Sequence, residues 1–199
     1  MASEIILSLL VIISAYILGS IPSAYIVGRL KGLDIREVGD GRLGATATYR
    51  RVGLAGAGIV GLIDVSKGVA AVLLAEGLGL PLLVVLLTGL SVVVGHNWSI
   101  FLRFKGGKGA LTTYGVLVSL MFWQFFIALA LGGIAYLITH KTGTSTGILL
   151  CFLSLINLLT GSLILLSILP IFISLPMVLK HIFMPKTRAM AITNKEGEG

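Results

Sequence analysis

The chain has 199 residues, of which 56% are hydrophobic and 12% charged, and its formal net charge is +7. This composition excludes an ordinary soluble domain, because several apolar runs reach the roughly 20 residues that cross a bilayer. The positive charge does not indicate nucleic-acid binding, because no aromatic-rich basic surface or known DNA-binding motif accompanies it. The sequence therefore predicts an all-α, polytopic membrane protein with a single domain over residues 1–199.

Five apolar runs alternate with polar segments along the chain. We predict that the apolar runs cross the membrane; they are residues 5–28, 52–75, 78–95, 110–139 and 147–179. The polar segments between and after them are residues 29–51, 96–109, 140–146 and 180–199. The amino-terminal segment lacks the basic region of a cleaved signal peptide, so we predict that it is retained as a span.

The distribution of basic residues predicts the orientation of these spans. Of the 15 Lys and Arg residues, six fall in 29–51, three in 96–109 and four in 180–199. Basic loops of membrane proteins stay in the cytoplasm. We therefore predict an amino terminus outside, a carboxyl terminus in the cytoplasm and an odd number of crossings.

The number of crossings stays open between five and seven. A helix as long as the run 110–139 would measure about 45 Å, whereas the hydrocarbon core is about 30 Å thick. Two helices of about 14 residues would each fall short of a full crossing. Residues 160–162, Thr-Gly-Ser, favour a turn in the last run, and His140 with Lys141 weakly favours a cytoplasmic position. We predict about seven transmembrane helices, with five as the alternative.

The second span contains two charged residues, Asp64 and Lys67. They lie three apart, on one face of the predicted helix. Charges at this depth are costly, so they usually pair or face a polar cavity. We predict a structural pair that holds the bundle together, and a direct role in catalysis or in a transport pathway remains the alternative.

Two glycine-rich basic segments are candidates for binding an anion. The first, VGDGRLGATATYRRVG, covers residues 38–53, and the second, FKGGKG, covers residues 104–109 and is called the glycine-lysine loop below. Glycine lets the backbone approach a ligand closely, and the charges of Lys and Arg suit phosphate. A helix that starts near Gly109 would turn its positive end towards the same anion. An ordinary basic loop is the alternative for each segment.

Several well-known catalytic motifs are absent from the sequence, which narrows the classes of reaction that it can catalyse. It has no GxxxxGK[ST], GxSxG, HExxH or HxxxxD pattern, which disfavours ATP hydrolysis, a serine nucleophile, a zinc site and a His–Asp acyltransferase dyad. The single cysteine, Cys151, is predicted to be a buried packing residue. His96 is a candidate general base or a hydrogen-bonding residue. We predict no metal and no cofactor, and an enzyme that works by positioning and electrostatic stabilisation.

In these segments the sequence resembles the bacterial acyl-phosphate:glycerol-3-phosphate acyltransferases. The matching segments are GSIPSAYIVGRLKGLDIREVG (19–39), LGAT (43–46), Arg50, DVSKG (64–68) and GHNWSIFLRFKGGKGALTT (95–113). The resemblance implies a seven-helix bundle in the bacterial inner membrane, with its active site facing the cytoplasm. It also implies transfer of a fatty acyl group from acyl phosphate to the sn-1 hydroxyl of glycerol 3-phosphate. The products would be lysophosphatidic acid and phosphate, in the first step of phospholipid synthesis.

The resemblance also implies roles for individual residues and partners. Lys108, His96 and Arg50 would be catalytic. Substrate and phosphate would be bound by Ser20, Gly44, Thr46, Arg50, Ser99, Lys105, Gly106, Gly107, Lys108, Gly109, Thr112, Ser145 and His181. The implied partners are glycerol 3-phosphate, acyl phosphate, membrane lipid and the soluble enzyme that makes acyl phosphate.

Four positions depart from the family pattern. Asp40, Arg42 and Ala47 replace residues of the family's GSGNxGATN loop, and Met184 replaces the Asn of a tail pattern HxxN. These changes leave open a paralogue that has lost activity. The charges within the second span leave open a transporter or binding protein for an organic phosphate.

Overall fold

The computed structural model of the chain describes residues 2–35 and 43–183, with the side chains of residues 177 and 181–183 left undescribed. The departures at Asp40, Arg42 and Met184 therefore lie outside the described residues. The described chain folds into a bundle of α-helices, with a short 3₁₀ segment after α5. In chain order the helices are α1 (Ala2–Ser20), α2 (Ser23–Leu30), α3 (Ala45–Val52), α4 (Leu54–Gly77), α5 (Leu82–Asn97), 3₁₀ (Ile100–Leu102), α6 (Ala110–Leu120), α7 (Phe122–Thr139), α8 (Thr142–Leu159) and α9 (Ile164–Phe183).

Five helical segments of the described chain are long and apolar enough to cross a membrane. They are Ala2–Leu30, Leu54–Gly77, Leu82–Leu102, Phe122–Thr139 and Thr142–Leu159. Two further apolar helices are shorter, Ala110–Leu120 and Ile164–Lys180. The prediction of an all-α protein with several membrane-spanning helices is thus confirmed.

Two predicted boundaries in the first quarter of the chain are wrong. The first span is interrupted between α1 and α2, because Pro22 has no N–H to continue the helical hydrogen bonds. The polar segment 29–51 was expected to be a loop, but it contains most of α3. Gly53 ends that helix with φ of 89°, a left-handed conformation that glycine adopts without strain.

The long apolar run 110–139 is two helices rather than one. Met121 separates α6 from α7 with φ of −144° and ψ of 57°, outside the helical region. The turn predicted at residues 160–162 is confirmed, and Gly161 there has φ of 69°. The polar break predicted at 140–146 is shorter than expected, because α8 already begins at Thr142.

Helices α1 and α5 pack against each other and run parallel. Near one end the Ser91 hydroxyl donates to the Ile12 carbonyl at 2.8 Å, and near the other the Ser99 hydroxyl donates to the Ser20 carbonyl at 2.5 Å. The carboxyl ends of both helices therefore lie at one end of the bundle. The chain segments that follow α1 and α5 start on that same face.

Helices α4 and α6 approach closely through two glycines. A Cβ atom added at Gly68 would overlap the backbone of Thr112, and one added at Gly115 would overlap the backbone of Val65. Small residues allow the backbones of two membrane helices to approach this closely, because packing rather than hydrophobic burial drives helix association in membranes.

This contact predicts that Gly115→Ala destabilises the bundle. The added methyl group would force α4 and α6 apart, at a cost of about 1–3 kcal/mol in the free energy of unfolding. The matched control is Gly133→Ala on α7, where a Cβ meets no atom within 4 Å. Thermal unfolding in detergent measures both variants, and equal unfolding temperatures would contradict the proposed close contact.

Many large apolar side chains of the bundle are exposed on its outer surface. Leu62 on α4 and Trp123 on α7 are both largely exposed. Cys151 is also exposed, so its predicted burial is wrong. The reason is that lipid-facing positions are as hydrophobic as interior ones, so an apolar run does not reveal which side chains face inward.

Candidate active site

The glycine-lysine loop folds back onto the end of α5. The Gly106 N–H donates to the Asn97 carbonyl at 3.1 Å, and the Gly107 N–H donates to the His96 carbonyl at 3.0 Å. A Cβ atom at either glycine would overlap α5 backbone or the His96 ring. The loop therefore needs glycine in order to lie against the helix.

The fold-back places the start of α6 inside the bundle. Leu111, in the first turn of α6, lies beside Gly61, seven residues after α4 begins. Seven helical residues correspond to about 10 Å along the axis of α4. The loop is thus recessed, which explains how α6 can be only 11 residues long.

A small recess lies between the end of α1 and the glycine-lysine loop. Its polar walls come from four side chains and the loop backbone; they are Ser20, Ser23, His96, Ser99, Gly106 and Gly107. Five of the predicted site residues are therefore gathered here, whereas Ser23 was missed. The spacing of three between Ser20 and Ser23, across Pro22, was the available signal.

Asp64 is the centre of a buried polar network beside this recess. Its carboxylate accepts a hydrogen bond from the Ser23 hydroxyl at 2.5 Å, and it lies 3.1 Å from Lys67 Nζ and 3.5 Å from His96 Nδ1. Lys67 also donates to the Ile21 carbonyl at 2.5 Å. The side chains of Asp64 and Lys67 are only 2% and 4% exposed. The network joins α4, α5 and the break after α1.

His96 connects this network to the two glycine-rich segments. Its Nδ1 faces Asp64, and its Nε2 faces Gly107, where an added Cβ would overlap the ring. The same Cβ would overlap the carbonyl of Leu43, which precedes α3. Residues from both predicted anion-binding segments and from α5 therefore meet at one point. Leu43 contributes through its backbone, so no side-chain pattern could have indicated it.

Four of the predicted cationic and hydroxyl residues are exposed on the two glycine-rich segments. Lys105 and Lys108 are exposed on either side of the buried Gly106 and Gly107. Residues 46 and 50, Thr and Arg, are one turn apart on α3 and are also exposed. Gly44 stands at the amino end of the same helix. All four side chains are thus accessible to a ligand from solution.

The predicted binding residues of α6 and α8 do not line the recess. The Ser145 hydroxyl donates to the Lys141 carbonyl at 3.0 Å, within the first turn of α8. Thr112 is buried in α6, and its hydroxyl has no hydrogen-bond partner among the described residues. Gly109 ends the loop with φ of 81°, directly before α6. His181 belongs to α9, and its side chain lies outside the described part of the structure.

Comparison with known proteins gives a consistent family assignment. A family model described as glycerol-3-phosphate acyltransferase matches residues 9–186. Glycerol-3-phosphate acyltransferase 2 of Moorella thermoacetica is 51% identical over 127 residues, which are 61% of this chain and 65% of that protein. The glycerol-3-phosphate acyltransferase of Thermus thermophilus is 45% identical over 120 residues, which are 58% of this chain and 60% of that protein. The chain thus matches less than two thirds of the length of these curated relatives.

The fold is similar to that of a crystallised protein over nearly the whole chain. The crystal structure of PlsY (YgiH), an integral membrane glycerol 3-phosphate acyltransferase, in its glycerol 3-phosphate form, has a TM-score of 0.80 and 27% sequence identity, covering 96% of this chain and 92% of that one. Its lysophosphatidic acid form has a TM-score of 0.79 and 26% identity, with the same coverage.

Proposed function

The chain belongs to the glycerol-3-phosphate acyltransferase family, and on that premise we propose that it acylates the sn-1 hydroxyl of glycerol 3-phosphate. The proposed donor is acyl phosphate, and the products are lysophosphatidic acid and inorganic phosphate. The reaction belongs to phospholipid synthesis. The soluble enzyme that makes acyl phosphate is the proposed supplier of the donor.

The observation that carries this proposal is the contact between the two glycine-rich segments. Gly107 packs against His96 and the Leu43 carbonyl, so the glycine-lysine loop lies next to the start of α3. Both segments also carry exposed cations, Lys105 and Lys108 in the loop and Arg50 in α3. Such a site suits the phosphate groups of glycerol 3-phosphate and acyl phosphate, while the acyl chain of the donor stays in the bilayer.

The reaction balances without a nucleophile from the protein. The sn-1 oxygen forms a bond to the acyl carbonyl carbon, the bond from that carbon to the phosphate oxygen breaks, and the hydroxyl proton leaves with the phosphate. Lys108 and Arg50 stabilise the charge on the departing phosphate. Nδ1 of His96 faces Asp64. The other ring nitrogen, Nε2, can therefore accept the proton of the sn-1 hydroxyl and pass it to the departing phosphate.

We propose that the helices cross the membrane seven times in the protein with this function. For α4 and α6, Leu111 lies beside Gly61 and, further along both helices, Gly115 approaches Gly68, so the two helices are parallel. We propose that α4, α6 and α8 run in one direction. Helices α1, α5, α7 and α9 run in the other. This alternation supports seven crossings of the bacterial inner membrane, with the amino terminus outside and the site and carboxyl terminus at the cytoplasmic face.

Cysteine labelling tests this topology. In a Cys151→Ser background, a cysteine introduced at position 141 should react with a membrane-impermeant maleimide only when the cytoplasmic side is opened. Reaction in intact cells would place the α7–α8 turn outside and favour five crossings.

Two experiments test the activity. Purified protein in liposomes is expected to convert labelled glycerol 3-phosphate and acyl phosphate into lysophosphatidic acid, and the chain should complement a strain deficient in this acyltransferase. Failure of both, beside an active relative, would identify an inactive paralogue. Uptake of glycerol 3-phosphate without acylation would identify a transporter, for which the structure offers little support because Asp64 and Lys67 pair with each other.

A further inference from the structure

The last helix inserts a charged side chain against the glycine-lysine loop. Lys180 of α9 is 2% exposed. Its ammonium group donates hydrogen bonds to the carbonyl of Asn97 and, at 2.7 Å, to the carbonyl of Gly106. It also lies 6.0 Å from the centre of the Trp98 ring. The loop is therefore held by a residue more than 70 positions away in the chain.

Hydrogen bonds and the dipole of α5 stabilise the buried ammonium group of Lys180. A buried ammonium group is costly unless hydrogen bonds replace its water. Asn97 is the last residue of α5, so its carbonyl belongs to the negative end of the helix dipole, where a cation is favoured. The same carbonyl accepts the Gly106 N–H at 3.1 Å. Lys180 thus closes a ring of hydrogen bonds that joins α9, α5 and the loop.

We propose that Lys180 is a positioning residue that holds the glycine-lysine loop in its binding conformation. It contacts the loop backbone at Gly106, between the exposed side chains of Lys105 and Lys108. It supplies a fixed attachment to a segment whose three glycines leave the free backbone many conformations. The catalytic consequence rests on the function proposed above, whereas the loop attachment does not.

Loss of this attachment should weaken substrate binding more than it slows the chemical step. A loop that samples several conformations presents the binding form for only part of the time, and the apparent affinity falls by that fraction. Lys180→Met is therefore expected to raise KM for glycerol 3-phosphate by about tenfold, the scale of one charge-assisted hydrogen bond, with a smaller change in kcat. Lys180→Arg keeps the charge and the donors, and it should recover most of the affinity.

The proposal is tested by kinetics and limited trypsin digestion of the full-length protein in detergent. Cleavage after Lys105 and Lys108, quantified by mass spectrometry, is expected to accelerate about tenfold in Lys180→Met at unchanged unfolding temperature, and to stay near the wild-type rate in Lys180→Arg. Lys141→Met removes an exposed lysine at the α7–α8 turn and is the matched control. It should change neither measurement.

Two results would overturn the proposal. One is cleavage of the loop at the wild-type rate in Lys180→Met. The other is an equal loss of affinity for glycerol 3-phosphate in the Met and Arg variants together with a lower unfolding temperature, which would indicate a role in folding only. If the wild-type protein transfers no acyl group, the proposed function fails, but the digestion still decides whether Lys180 holds the loop.

Discussion

Lys108→Ala is expected to lower kcat/KM for acyl transfer by about 10²–10³-fold, the usual effect of removing one group that stabilises charge in the transition state. The Lys108 side chain is exposed, while the glycines on both sides of it are buried against α5. The backbone is therefore fixed and the charge is free to meet phosphate. The measurement is initial-rate kinetics with purified protein and acyl phosphate.

The controls separate lost chemistry from lost structure. The unfolding temperature of Lys108→Ala should equal that of the wild type, because no buried contact of the described residues involves this side chain. Lys141→Ala removes another exposed charge, at the α7–α8 turn, and should retain full activity. Wild-type rates in Lys108→Ala would remove this residue from the proposed site.

Asp64→Ala is expected to lower the free energy of unfolding by about 3–5 kcal/mol, the effect of breaking a buried ion pair by removing one partner. The substitution leaves the ammonium group of Lys67 buried without its carboxylate, and it removes the acceptor for Ser23 and His96. Thermal unfolding and the monodisperse fraction in detergent report the loss.

A second variant shows whether the charge or the volume matters. Asp64→Ala combined with Lys67→Met removes both charges, so it should recover a large part of the stability that Asp64→Ala loses. The double variant should still be impaired in acyl transfer, because His96 has lost its orienting carboxylate. A double variant less stable than Asp64→Ala would contradict the ion-pair explanation.

Local features of the fold and site could be predicted from the sequence. Hydropathy identified the apolar runs, because the bilayer imposes a length and a polarity on every span. The turn at residues 160–162 carries glycine at a position that needs positive φ. The i, i+3 spacing of Asp64 and Lys67 placed them on one helical face, and they lie 3.1 Å apart. Each of these features depends on neighbours in the chain.

Features that depend on distant contacts could not be predicted. The break at Met121 has neither Pro nor Gly at that position to indicate it, and the exposure of Cys151 depends on which side of α8 faces lipid. The absence of an HxxxxD motif excluded one His–Asp arrangement, yet the fold brings His96 to 3.5 Å from Asp64, 32 positions earlier in the chain. The attachment of the loop by Lys180 is equally invisible in the sequence.

The depth at which the glycine-lysine loop lies affects how a substrate with an acyl chain reaches the proposed site. Because α6 starts about 10 Å along the axis of α4, a headgroup bound at the proposed site would lie below the membrane surface, and its hydrocarbon tail would not need to desorb. Extracting such a tail into water would cost about 0.8 kcal/mol for every methylene. If the chain has the proposed activity, we expect donor and product to exchange by lateral diffusion, so that the apparent affinity for them follows their mole fraction in the lipid and not their bulk concentration.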